Sequence, residues 1–160
     1  MESFTEAFRQ AKDKAKVADY GVNRILVMSR DANVVRSALM NVRDAQERAV
    51  DAILLYERVY KRVPAYPVGH LETKLRLFSE YCVKRYKFAD DTVKDIRLVN
   101  EWVRSSDGMS ISLSPDNRMI ISDGGFQSQS IPLASIKSMI VKASSFIDSV
   151  GKVVQNVGSD

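Results

Sequence analysis

The sequence predicts a mainly α-helical bundle of about five helices, with one β-hairpin inserted before the last helix. Three observations carry this. Apolar residues recur at alternating spacings of three and four along most of the chain, which marks one face of a helix. Between Met109 and Ser122 the period drops to two, as in a pair of strands. Prolines and glycines fall between these stretches, with Gly21 as the exception. At 160 residues, 45% hydrophobic and 28% charged, the chain has the size and composition of one domain over 1–160 with a real core.

The first stripe joins Phe4, Phe8, Ala11, Ala15, Ala18, Val22 and Ile25, which predicts a helix over 4–28. Ser3 followed by Glu6 fits a capping box at its start. Gly21 costs about 1 kcal/mol against alanine in a helix interior, so it either breaks this helix in two or is carried within it.

Ser29 or Asp31 can cap the next helix. Its stripe runs through Val35, Leu39, Val42, Gln46, Ala49, Ile53, Tyr56 and Tyr60, predicting a helix over 31–62, far above the usual length of about 11–12 residues. Asp44–Arg48 and Glu57–Lys61 read as favourable i,i+4 pairs on its outer face. A helix of this length is a bundle spine or an oligomer seam. Short neighbours leave part of its stripe uncovered, and uncovered stripes mark interfaces. The expected assembly is a homodimer through Val35, Leu39, Val42 and Ala49.

Pro64, Pro67 and Gly69 end this helix, because proline removes a donor and restricts the residue before it. Leu71, Leu75, Phe78 and Cys82 predict a third helix over 69–87. Asp90 or Asp91 starts a fourth, over 91–105, with Val93, Ile96, Val99 and Val103 on one side. The segment from Met109 to Ser114 then alternates apolar and polar. Ser114-Pro115-Asp116-Asn117 is a turn, and Met119-Ile120-Ile121 answers as a second strand, giving a hairpin over 109–122. Pro132 introduces the last helix, over 134–150, with Ile136, Ile140, Ala143, Ile147 and Val150 aligned.

Composition excludes several functional classes. One cysteine and one histidine cannot build a disulfide scaffold or an all-His/Cys zinc site. No run approaches the roughly 18 apolar residues of a membrane span. Glu2 and Glu6 make the start too acidic for a targeting peptide. These features lead us to expect a cytoplasmic protein in a reducing compartment.

No cofactor is expected either. Gly124-Gly125 lacks a dinucleotide-binding frame, and Gly151-Lys152 lacks the rest of a phosphate loop. His70, the only side chain with an unperturbed pKa near neutrality, sits at the start of the third helix and reads as solvent-facing. Cys82 falls on an apolar stripe and reads as a small buried hydrophobe. Asp90, Asp91 and Asp95 could hold a hard cation in a hydrolase, but carboxylates at a helix start also cap it and complement its dipole.

One constellation stands out. The net charge of +4 is concentrated between 58 and 87, where eight basic residues face only Glu72 and Glu80. Five of the six tyrosines, Tyr56, Tyr60, Tyr66, Tyr81 and Tyr86, lie between 56 and 86. Cations neutralise phosphates and aromatic faces stack on bases, so the mixture suits single-stranded nucleic acid. The expected contacts are Arg62, Tyr66, Tyr81, Lys84, Arg85, Tyr86 and Lys87. Tyrosine also suits a protein interface, and the same residues can serve as a buried stripe with a solvated rim.

From about Asp91 onward, a helix (Val93-Lys-Asp-Ile-Arg-Leu-Val-Asn-Glu-Trp-Val103), a short hairpin and Ile136-Lys-Ser-Met-Ile-Val-Lys-Ala-Ser-Ser-Phe-Ile-Asp-Ser-Val150 resemble small archaeal helical proteins of the HEPN type. The resemblance lies in the apolar pattern of roughly the last third. It implies a helical bundle, often dimeric, and either a ribonuclease or an accessory subunit of a minimal nucleotidyltransferase. The family's nucleases carry an arginine followed four to six residues later by a histidine. Here Arg62 and His70 are separated by seven residues that include Pro64 and Pro67, so no catalytic residue carries over. The resemblance implies a non-catalytic member, with a nucleotidyltransferase as possible protein partner.

Overall fold

A computed structural model describes residues 3–67, 69–125 and 128–155. The fold is mainly helical, with a small antiparallel sheet before the last helix. Helix α1 is Phe4–Tyr20, followed by a π-helical turn at Gly21–Ile25 and by α2 at Leu26–Ser29. Then come α3 (Ala32–Val59), α4 (Leu71–Tyr81), α5 (Val83–Tyr86) and α6 (Thr92–Ser106). Strands β1 (Ser110–Leu113), β2 (Arg118–Ser122) and β3 (Ser128–Pro132) precede α7 (Leu133–Val154). Among the described residues no helix is long and apolar enough to cross a membrane.

One half of the capping box forms, with the Ser3 hydroxyl accepting from the Glu6 N–H at 3.1 Å, while the Glu6 carboxylate accepts from Arg9 and Gln10. Ala7, Phe8, Ala11, Ala15 and Ala18 form the buried face of α1. Four of these five are alanines, so the α1 backbone can lie close along α3. Gly21 does not break the helix. The chain continues through it at φ −57°, and the Leu26 N–H reaches back to the Gly21 carbonyl, one residue further than in an α-helix. Left-handed Arg30 ends α2, and Asp31 caps α3 by accepting from the Asn33 N–H at 2.9 Å.

At 28 residues, α3 is about 42 Å long and forms the axis of the molecule. Two cores share it. Ala45, Ala49, Val50, Ala52, Ile53 and Leu54 pack with Ala7 and Phe8 of α1, Leu75 and Phe78 of α4, and Phe146, Ile147 and Val150 of α7. Nearer its start, Val35, Ala38, Leu39 and Val42 pack with Val99 and Trp102 of α6, Met119 and Ile121 of β2, Ile131 of β3, and Ile136 and Ile140 of α7.

Four expectations need correction. Val35, Leu39, Val42 and Ala49 are at most 1% exposed, because α1, α6, α7 and the sheet of the same chain cover the stripe. They cannot form a dimer seam. The expected helix over 69–87 is two helices that meet at Cys82. The hairpin over 109–122 is present, but β3 extends it to a three-stranded sheet in the order β1-β2-β3. Finally, α3 stops at Val59, short of residue 62, and α7 runs to Val154, beyond 150.

In the sheet, Ile111 pairs with Ile121 and Met119 with Ile131. Met119, Ile121 and Ile131 are buried against the helices. Arg30 ties the β1–β2 turn to the end of α2, donating to Asn117 Oδ1 at 2.7 Å and to the Ser114 carbonyl at 3.3 Å.

α7 approaches α1 closely at Gly151. A Cβ added at Gly151 would lie 2.7 Å from Phe8 Cζ, inside van der Waals contact with a buried ring. Gly151→Ala gains about 1 kcal/mol in helix propensity, and overpacking a filled core costs typically about 1–3 kcal/mol. The expected outcome is net destabilisation by up to about 2 kcal/mol, seen as a lowered denaturation midpoint. A raised midpoint would mean that Phe8 steps aside freely.

Candidate basic and tyrosine-rich interface

The end of α3, the loop over 60–67 and the α4–α5 unit bring the basic, tyrosine-rich section together around one carboxylate. Glu57, in the last turn of α3, is 0% exposed. Its Oε1 accepts from the Tyr86 hydroxyl and its Oε2 from Arg85 Nη1 at 3.0 Å. Arg62 Nη1 donates to the Tyr86 oxygen at 3.2 Å and lies 3.8 Å from Glu57 Oε1. A buried carboxylate is tolerated only when donors replace its lost water. Here the Arg85 guanidinium and the Tyr86 phenol do so, and Arg62 adds a second positive charge nearby.

Burial, and the Glu57 carboxylate that the Tyr86 hydroxyl donates to, push that phenol up to about 12. Burial also pushes the Cys82 thiol up to about 12, with Glu57 adding to the effect. Cys82 is therefore a neutral thiol, packed as a hydrophobe as its stripe position suggested, and poorly suited to nucleophilic attack.

On the outer side, Arg62 stacks over the Tyr60 ring at 4.8 Å, and Tyr60 lies 5.1 Å from Tyr56. Arg58 covers the Tyr66 ring at 5.5 Å. Tyr66 is half-buried, and burial raises its phenol above the ordinary value. Tyr81 packs against the core as a partly buried residue. Lys61, Lys84 and Lys87 are exposed. The structure thus joins Arg62, Arg85 and Tyr86 directly, with Lys84 and Lys87 flanking them in sequence, while Tyr66 and Tyr81 act mainly as packing residues.

Sequence reasoning missed Glu57, which reads as an outer-face partner of Lys61. Lys61 lies beyond the end of α3 in a left-handed conformation, and Glu57 turns inward. The available signal was position, because Glu57 falls four residues after Ile53 on the buried stripe. Tyr60, placed on that stripe and left out of the expected contacts, is exposed and stacked.

A second charged cluster lies one turn or more back along α3. Lys74 and Asp51 are both buried, with Lys74 Nζ 2.9 Å from Asp51 Oδ1 and 3.1 Å from Glu47 Oε1. Arg48 also pairs with Asp51. Burial raises the Asp51 carboxyl despite these cations. Burial works to lower the Lys74 ammonium, but Asp51 and Glu47 outweigh it and hold the group above its ordinary value. The cluster fastens α4 to α3.

The remaining candidates separate. His70 precedes α4 and makes no capping hydrogen bond there. Asp91 and Asp95 pair with Lys142 Nζ at 3.1 and 3.2 Å, pinning the start of α6 to α7, and Asp90 is exposed. Among the described residues no group of three or more His, Cys, Asp or Glu side chains is placed to hold a metal.

No protein family, curated protein or solved structure matches the chain. Its chemistry is therefore read from its own geometry.

The Tyr86 proton can be followed directly. The phenol is raised from 10.0 to about 12 in the folded chain, so its contribution to stability is complete below about pH 10 and is lost as pH rises through about 12. An alkaline titration of phenolate absorbance should show one tyrosine ionising late, and Tyr86→Phe should remove that late step. A late step that persists in Tyr86→Phe would assign it to another tyrosine.

Proposed function

We propose that the protein acts without catalysis, binding single-stranded nucleic acid at its basic, tyrosine-rich end. One observation carries this reading. An exposed Tyr60 ring carries the Arg62 guanidinium on its face, on the same network as Arg85 and Tyr86. A stacking platform beside cations is the arrangement that holds unpaired bases and their phosphates. Glu57 offsets part of the charge of Arg62 and Arg85, while Lys61, Lys84 and Lys87 extend outward.

Lys84 and Lys87 can be removed without disturbing Glu57. Four phosphate contacts, through Arg62, Lys84, Arg85 and Lys87, correspond to a log–log salt slope of about −3 for a single strand. Lys84→Ala with Lys87→Ala should flatten that slope by about 1.4. Tyr60→Ala should weaken binding by about 1–3 kcal/mol, while Tyr81→Phe changes little. Absence of binding to oligo(U) or oligo(dT) at about 50 mM salt, where phosphate contacts are strong, would overturn the proposal.

A second reading, a protein partner, is favoured by a different surface. Val17, Tyr20, Val27 and Met28 expose apolar side chains along α1 and α2, with Met28 88% exposed. Clustered exposed apolar residues mark association sites. The partner is a second copy of the chain or, following the HEPN resemblance, a nucleotidyltransferase. If a homodimer forms here, light scattering at tens of micromolar gives a dimer that Val27→Glu with Met28→Glu converts to monomer. A wild-type monomer removes the homodimer.

A further inference from the structure

A groove between α3 and α6, near the end opposite to Glu57, is lined by Arg36, Met40 and Arg43 of α3 and by Asn100, Val103 and Arg104 of α6. Its volume is about 370 Å³, within the range of small-molecule sites, which begins at roughly 300 Å³. Arg43 and Glu57 are separated by about 21 Å along the helix axis, so the groove is distinct from the tyrosine-rich end.

The three arginines differ in how far the protein already satisfies them. Arg36 Nη2 donates to the carbonyls of Ser106 and Met109 at 2.6 and 2.7 Å, which fixes its guanidinium against the end of α6. Its Nε is buried and has no acceptor among the described residues. A buried donor left unpaired is costly, and Arg36 bears that cost where its Nη2 clamps the end of α6. Arg43 pairs with one carboxylate among the described residues, Asp44, at 3.2 Å. Arg104 is exposed and pairs with no carboxylate among the described residues. Asn100 spends its Nδ2 on the Ile96 carbonyl at 2.9 Å, which leaves its Oδ1 as an acceptor. Asp107 is the one carboxylate in the lining.

We infer that this groove binds a phosphate monoester of nucleotide size, with Arg36, Arg43 and Arg104 holding the phosphate. Planar guanidinium forks match phosphate oxygens. A single fork suffices for a flat carboxylate, whereas three converging from two helices suit a tetrahedral anion. The exposed Met40 and half-buried Val103 offer an apolar wall for the rest of the ligand, and Asn100 Oδ1 can accept from its polar edge.

The test is calorimetric titration of the full chain with adenosine monophosphate, inorganic phosphate and adenosine. Arg36 is left intact because it holds the end of α6. We expect adenosine monophosphate to bind at least about tenfold more tightly than phosphate, and adenosine not to bind. Arg43→Gln and Arg104→Gln should each weaken the nucleotide by about tenfold, the size of one charge-assisted hydrogen bond, with circular dichroism unchanged. Arg104→Lys, which keeps charge but loses the fork, should fall between. Lys84→Ala with Lys87→Ala should leave nucleotide binding intact even where it weakens oligonucleotide binding, so this inference and the proposed function fail separately. No heat from either anion at millimolar concentration would overturn the inference. So would affinity unchanged in Arg43→Gln and Arg104→Gln, or loss of nucleotide binding in the Lys84/Lys87 variant. Equal affinity for phosphate and nucleotide would overturn the assigned ligand size.

Discussion

The apolar stripe of α3 from Val35 to Leu54 is covered along its length, and the positions of the other elements follow from what each covers there. A stripe of this length exposed to water would be a liability, because burial of apolar surface is the main force favouring the folded state. The alanines of α1 close one side at short range, α4 and the second half of α7 close the far end, and α6 with the sheet closes the near end. The sheet needs this arrangement too. A small sheet needs an apolar face packed on something to be stable in water, and Met119, Ile121 and Ile131 gain their burial from the helices.

The carboxylate of Glu57 imposes a second constraint. Once the end of α3 is enclosed, its oxygens need donors from the chain itself, and Arg85 and Tyr86 supply them, with Arg62 adding charge nearby through the Tyr86 oxygen. The α4–α5 unit is thereby fixed against α3 by polar contacts as well as by Leu75 and Phe78. The same requirement alters the electrostatics of the surface. Two of the cations that make this section look strongly basic already answer a negative charge, so the field outside is carried disproportionately by the lysines. The Lys74–Asp51 pair repeats this pattern further along, with both partners out of water.

The helices were legible because amphipathic spacing reports which side of a segment is buried. That spacing cannot say what buries it. Val35, Leu39, Val42 and Ala49 were correctly read as one apolar face, but whether a neighbour in the same chain or a second copy covers it depends on tertiary geometry. β3 was invisible for a different reason. Ser128-Gln129-Ser130-Ile131-Pro132 contains one buried apolar residue, so it has no alternation to detect, and β2 pairing creates the strand. Glu57 shows the opposite failure, since a charged side chain invites an outer-face assignment even where its position lies on the inner one. The groove arginines left no sequence signal, because Arg36, Arg43 and Arg104 meet only through the packing of α6 on α3.

The two cores wrap one unbroken helix, which decides how the molecule comes apart. Neither end can open fully without stripping cover from α3, so each core's loss removes support from the other. Amide protons in the middle of α3 are thus exchangeable only through complete unfolding, whereas those in the 60–67 loop and the β1–β2 turn exchange through small local openings. The slowest hydrogens should report a single free energy for the whole chain, and any ligand held at either end of α3 would raise it.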